Sequence, residues 1–127
     1  NDHPITQVMT DDVGYYQDNH LYVLGRKSDV INHGGNKIYP SDFEHVLTHF
    51  AASVVVFGVP DLVYGENIVA MVVTNETETI LKSYVANYLP KYKIPTRYIF
   101  VDEIPKTPQQ KISRALLTTD FMKGRWS

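Results

Sequence analysis

The run Val54-Val55-Val56-Phe57-Gly58-Val59 is the strongest constraint on how this chain folds. It is rich in β-branched residues and far too short to cross a bilayer, which takes about 20 apolar residues, so it predicts a buried strand over residues 53–59. A second buried strand is predicted from Ile68 to Val73, after a loop spanning Asp61 to Glu66. Helical stripes flank both strands. Phe43, Val46, Leu47 and Phe50 recur at i, i+3, i+4 and i+7. Pro40 precedes them, and Ser41 with Glu44 has the spacing of a capping box. Ile80, Leu81, Tyr84, Val85, Tyr88 and Leu89 form the second stripe, opened by an Asn75/Glu78 box and stopped by Pro90.

Gly14–Gln17 and Leu21–Leu24 predict a hairpin turning at Asp18-Asn19-His20. Val30-Ile31 and Lys37-Ile38-Tyr39 flank Gly34-Gly35-Asn36 as a second tight hairpin. The charged stretch Arg26-Lys27-Ser28-Asp29 between them reads as a linker or hinge. Arg97–Val101 is a short strand, and Ser113 is placed to cap a last helix running through Leu117. Few strands have regular βαβ spacing. The predicted class is therefore α+β: a small two-layer domain, a short β-sheet flanked by helices on one face, preceded by a β-hairpin.

At 127 residues this is one domain, or one domain with a short attached piece. Its 43% hydrophobic and 20% charged residues suit a soluble globular protein. A net charge of −2 gives no electrostatic footprint for nucleic acid. The nine tyrosines read as strand and helix packing. The absence of cysteine excludes a disulfide framework and a thiol nucleophile, and fits the cytoplasm. There is no transmembrane segment and no secretory signal, and a start at Asn1 without Met reads as a fragment. His45 and His49 stand at i, i+4, but no other ligands join them at a metal-site spacing, so they read as surface histidines and no metal site is expected.

The chemistry points to Pro105-Lys106-Thr107-Pro108-Gln109-Gln110-Lys111-Ile112-Ser113-Arg114, where prolines present one lysine on a stiffened polar loop. Together with Gly25-Arg26-Lys27-Ser28-Asp29-Val30-Ile31-Asn32-His33-Gly34-Gly35-Asn36-Lys37-Ile38-Tyr39-Pro40, in that order, it resembles the C-terminal part of the AMP-forming adenylating enzymes. These are the acyl- and aryl-CoA ligases, the adenylation domains of peptide synthetases, and the luciferases. The resemblance covers essentially the whole chain. Thr10-Asp11-Asp12-Val13-Gly14-Tyr15 resembles the Thr-Gly-Asp-x-Gly-Tyr element that closes the family's large N-terminal domain, with Asp11 where glycine is usual.

The resemblance implies the following roles. Asp12 holds the ribose hydroxyls of ATP and AMP, a task suited to a carboxylate that accepts two hydrogen bonds from a diol. Arg26 reaches the same ribose, and Ser28 takes the hinge position. Gly34 and Gly35 face the active site after the domain has rotated, their backbone approaching the ligand closely. Lys111 matches the catalytic lysine, with Gln110 where glycine is usual. A lysine suits a step in which a carboxylate attacks the α-phosphate of ATP, because a mobile ammonium can bridge two anions.

Residues 1–27 would then be the last hairpin of the N-terminal domain with the hinge approach, and residues 28–127 the C-terminal lid. The form Gly-Gly-Asn-Lys-Ile-Tyr-Pro favours an acyl-CoA ligase acting on a carboxylic acid, a fatty acid first, with ATP, CoA and Mg2+ as cofactors and the Mg2+ ligands outside this chain. Two alternatives stand beside it: an adenylation domain loading a carrier protein, and a non-catalytic binding or regulatory module. The implied partner is the N-terminal adenylation domain, without which the fragment would be inactive.

Overall fold

The structure, a computed structural model, describes residues 6–7, 12–26, 29–49 and 51–126, with backbone alone in the first two segments outside residues 17–20. Its first sheet is three antiparallel strands, β1 (Thr6–Gln7), β2 (Asp12–Gln17) and β3 (His20–Arg26), in the order β1-β2-β3. The β2–β3 turn is Asp18-Asn19, both at positive φ (53° and 64°). Asp and Asn tolerate that left-handed region better than most residues, and it matches the twist of a two-residue hairpin.

The second sheet carries the core. Its strands are β4 (Ile31–His33), β5 (Asn36–Ile38), β6 (Ser53–Asp61), β7 (Gly65–Val73) and β8 (Arg97–Phe100). The order is β5-β4-β7-β6, with β8 also on β7. β6 and β7 pair antiparallel along their full length, Ser53 opposite Val73 through Asp61 opposite Gly65. β4 meets β7 only at His33–Gly65, which leaves the rest of that side of β7 to β8, paired in parallel from Val69–Arg97 to Val72–Phe100. The crossover between β7 and β8 contains the helix α2 (Glu78–Tyr88), so the chain holds one parallel β-α-β unit that its strand spacing does not announce.

Helices cover both faces of this sheet. The α+β class holds, but the helices do not share one face as the sequence predicts. On one side α1 (Pro40–Leu47) and α2 (Glu78–Tyr88) bury Phe43, Leu47, Leu81 and Val85 against Val56, Ile68, Ala70, Val72 and Tyr98. On the other, α3 (Arg114–Met122) sets Leu117 among Val55, Phe57, Val59, Val69, Met71 and Ile99, with Phe121 packed alongside. Alternate residues of β6 and β7 thus enter different cores. A strand covered on both faces has no polar side, so it reads as a continuous apolar run.

Helix starts differ from the sequence expectation at two of three places. α1 takes Pro40 at its first turn and has no side-chain cap at Tyr39, because Ser41, read as the cap, already lies inside the helix, while Glu44, read as the other half of a capping box, turns inward. α2 is capped by Thr77, whose Oγ1 accepts from Ile80 N at 3.3 Å, rather than by Asn75. Residues 74–76 fold on themselves first, with Glu76 N donating to Thr74 Oγ1. Only Leu81 and Val85 of the second stripe are buried, while Ile80 and Tyr88 are exposed. The rings of Tyr84 and Tyr88 lie against each other at a tilt of 42°, centroids 4.6 Å apart. Ser113 does cap α3, accepting from Leu116 N at 3.3 Å, but the helix runs on past Leu117 to Met122. Thr118, Thr119 and Asp120 are weak helix formers that hide this extension. α1 ends at Leu47, and Phe50 lies outside the described residues.

Candidate active-site loops

Lys111 ends a tight reversal. Thr107 O accepts from Gln110 N at 2.8 Å, and Thr107 N donates to Lys111 O at 2.7 Å. Lys111 N donates in turn to Thr107 Oγ1 at 3.3 Å. Gln110 has φ +64°. This is a hairpin loop closed by one left-handed residue, the position glycine fills without strain. The substitution of Gln for Gly therefore costs conformational energy but keeps the loop's path. Lys111 is exposed and pairs with no acid among the described residues. It stands on a groove of about 670 Å³ shared with Asp29, Ile31, Gly58, Glu66 and Arg114.

Arg114, three residues on, donates four hydrogen bonds to three partners. Nη2 donates to both carboxylate oxygens of Glu44 at 2.8 and 2.6 Å, Nη1 to Asp29 Oδ2 at 3.2 Å, and Nε to Val56 O at 3.0 Å. Glu44 Oε2 also accepts from Val56 N at 2.9 Å. The backbone groups of Val56 face away from β7 along the free edge of β6, so Arg114 and Glu44 stand in for a missing strand. One turn later Thr118 Oγ1 donates to Gly58 O at 2.7 Å. The match is metric: four helical residues rise ~6 Å and two strand residues ~6.7 Å. Sequence reasoning missed Arg114, Asp29 and Glu44. The Arg114/Thr118 pair at i, i+4 was the available signal.

Gly34 and Gly35 form the β4–β5 turn, at φ 57° and 87°. The tip of the β6–β7 hairpin braces this turn: Gly34 N donates to Tyr64 O at 2.8 Å. The ring of His33 stacks on Tyr64 at 4.7 Å, and its Nδ1–H donates to Glu66 O at 2.7 Å. This turn opens on a different cavity, about 510 Å³, lined by His33, Gly34, Asn36, Tyr64, Lys91 and Tyr92 among others. Lys111 and the glycine turn are thus not brought together.

Asp12 and Arg26 are direct backbone partners across β2 and β3, which places the two expected ribose ligands at one end of the hairpin. Ser28 and Asp11 lie outside the described residues. Among the described residues no three His, Cys, Asp or Glu side chains gather as a metal site. No described helix is long and apolar enough to cross a membrane.

Residues 46–111 match the family model of the AMP-binding enzyme C-terminal domain. The chain is 39% identical over 121 residues to an oxalate–CoA ligase of Arabidopsis thaliana, covering 90% of this chain and 24% of that protein. A fatty acyl CoA synthetase of Mycobacterium tuberculosis superposes with a TM-score of 0.77 at 32% identity, over 89% of this chain and 24% of that one. The o-succinylbenzoate CoA synthetase of Bacillus subtilis, solved in complex with its acyl-adenylate intermediate, does so with 0.77 at 35% identity, over 85% and 23%.

A two-sided five-stranded sheet with a lysine loop at the head of its last helix therefore defines a C-terminal domain of the adenylate-forming ligases, and this chain belongs to that family. It spans about a quarter of the length of these relatives.

Proposed function

We propose that this chain is the lid of an AMP-forming acyl-CoA ligase: a carboxylic acid reacts with ATP to give acyl-AMP and pyrophosphate, and CoA thiol then displaces AMP. The observation that carries this reading is the separation of two loops on one rigid domain. Lys111 opens on one groove and the turn at Gly34 on another, so a single rotation can exchange them before a fixed active site. In the first orientation the Lys111 ammonium bridges the carboxylate and the α-phosphate oxygens as charge builds on them. In the second the glycine turn lets CoA pass close to backbone. Asp12 and Arg26 hold the ribose, and Ser28 carries the rotation.

The division at 27/28 is supported by the end of the first sheet at Arg26 and the start of the second at Ile31. The named relatives act on oxalate, succinylbenzoate and fatty acyl groups, so the acid is set outside this chain, and a fatty acid is one member of that range. Cytoplasmic location fits a CoA-dependent step. A carrier protein as acceptor has no observation in its favour. Loss of catalysis is opposed by the Gln110 loop, which keeps its left-handed turn at a cost in strain.

The experiment is Lys111→Ala in the full-length enzyme. Losing a contact made chiefly in the transition state costs ~3 to 4 kcal/mol, or roughly 100- to 1000-fold in adenylate formation. Thioester formation from supplied acyl-AMP should change little, and Lys106→Ala on the same loop should be mild. Near-normal adenylation by Lys111→Ala, or equal effects of the two lysines, defeats the reading. The 127-residue chain alone should show no ATP–pyrophosphate exchange.

A further inference from the structure

We infer that Arg114 is a positioning residue that locks the Lys111 loop to the segment leaving the hinge, so that rotation of the domain delivers the lysine to one place. The inference rests on the reading of Lys111 above and goes beyond it. Asp29 directly follows Ser28, and it is held by Arg114 Nη1 at 3.2 Å. The same guanidinium grips Glu44 of α1 and the edge carbonyl of Val56, while its own backbone begins α3 three residues after Lys111. Hinge-side chain, first helix, central sheet and lysine loop therefore meet at one side chain. A hinge transmits an orientation only if the arm beyond it is rigid, and this side chain ties the residue just after the hinge to the start of the helix that follows the lysine loop.

The chemistry needs arginine here. Five donors in a planar fork serve two carboxylates and a carbonyl at once, whereas lysine offers a single nitrogen on a flexible stem. The Thr118–Gly58 bond adds a second fixed point on the edge of β6, which sets the register of α3 and leaves the direction of its first turn to Arg114. Glu44 is committed to Val56 N as well, so it cannot follow Arg114 if the guanidinium moves.

The test is Arg114→Lys in the full-length enzyme, with Asp29→Asn as a second variant that loosens only the hinge-side link. A misplacement of about 1 Å can cost up to ~100-fold in rate. Arg114→Lys is expected to lower the adenylation kcat by roughly 10-fold or more, with KM for ATP and for the acid within about 2-fold. Asp29→Asn should lower it by about 3- to 10-fold. Thioester formation from supplied acyl-adenylate should stay within about 2-fold in both, since that step does not use the lysine.

Equal loss in both half-reactions would reduce Arg114 to a structural prop, and unchanged adenylation in both variants would remove the inference outright. If Arg114→Lys does not fold, Asp29→Asn decides alone. Lys111→Ala measured beside them separates the two levels. Loss in Lys111→Ala with none in the other two overturns only the positioning role, whereas normal adenylation in Lys111→Ala overturns both.

Discussion

Gly58 and Glu66 meet across β6 and β7 so closely that a Cβ on Gly58 would stand 2.7 Å from Glu66 Oε2 and 3.1 Å from Ile31 Cγ2. Glu66 is not at liberty to withdraw, because its other oxygen accepts from Asn32 N at 2.8 Å and ties β4 to β7. Gly58→Ala should therefore displace the carboxylate and press on Ile31. The expected cost is about 1–3 kcal/mol in urea unfolding, and hydrogen exchange at Asn32 N should accelerate. Unaltered exchange at Asn32 would show that the contact relaxes without breaking the tie.

Gln110→Gly should stabilise the domain. A side chain at φ +64° is strained by ~1–2 kcal/mol, and glycine gives back ~0.5–1 kcal/mol through the freedom of the unfolded chain. A net gain of roughly 0.5–1 kcal/mol should appear in unfolding measurements. A loss would mean that the Gln110 side chain contributes more than its backbone costs.

Tyr98 offers a pH-dependent test. Its hydroxyl is buried with no partner among the described residues, and burial, then the charge of Glu78, push its pKa from 10.0 up to about 12. Below pH 10 the phenol is neutral in both folded and unfolded chains. Between 10 and 12 the unfolded chain ionises while the folded one holds its proton, so stability falls as pH rises through that window. By pH 12 the loss should be on the order of 2 kcal/mol. Tyr98→Phe should abolish that part of the decline and be neutral to ~1 kcal/mol stabilising at pH 7. Parallel wild-type and variant curves above pH 10 would rule out the raised pKa.

Ser28→Pro probes the hinge. Proline fixes φ near −65°, so one orientation of the lid should be favoured in the full-length enzyme. One half-reaction should fall at least ~10-fold further than the other. Equal loss of both, or none, would place the pivot elsewhere.

The central strands were legible because an uninterrupted apolar run has few homes in a domain of this size. The Gly34-Gly35 turn and the loop before Lys111 were legible as local structure too, since a turn needing two left-handed residues and a proline-stiffened loop are local events. The second covered face was not. α3 is held by Leu117, by Phe121 against Phe57, and by Arg114 and Thr118 on the β6 edge, and each of these contacts joins residues far apart in sequence. Glu44 shows the same limit. Three residues after Ser41 it fits a capping box, yet a guanidinium 70 positions away binds it instead.

The cover that α3 side chains give β6 bears on solubility. A chain ending before Ser113 would bare the carbonyls of Val56 and Gly58 and, beside them, the apolar side chains of Val55 and Phe57. An open edge next to a sticky face recruits further strands from other molecules. Loss of the last helix should therefore show as aggregation through intermolecular β-pairing, in addition to the loss of adenylation that removing Arg114 brings.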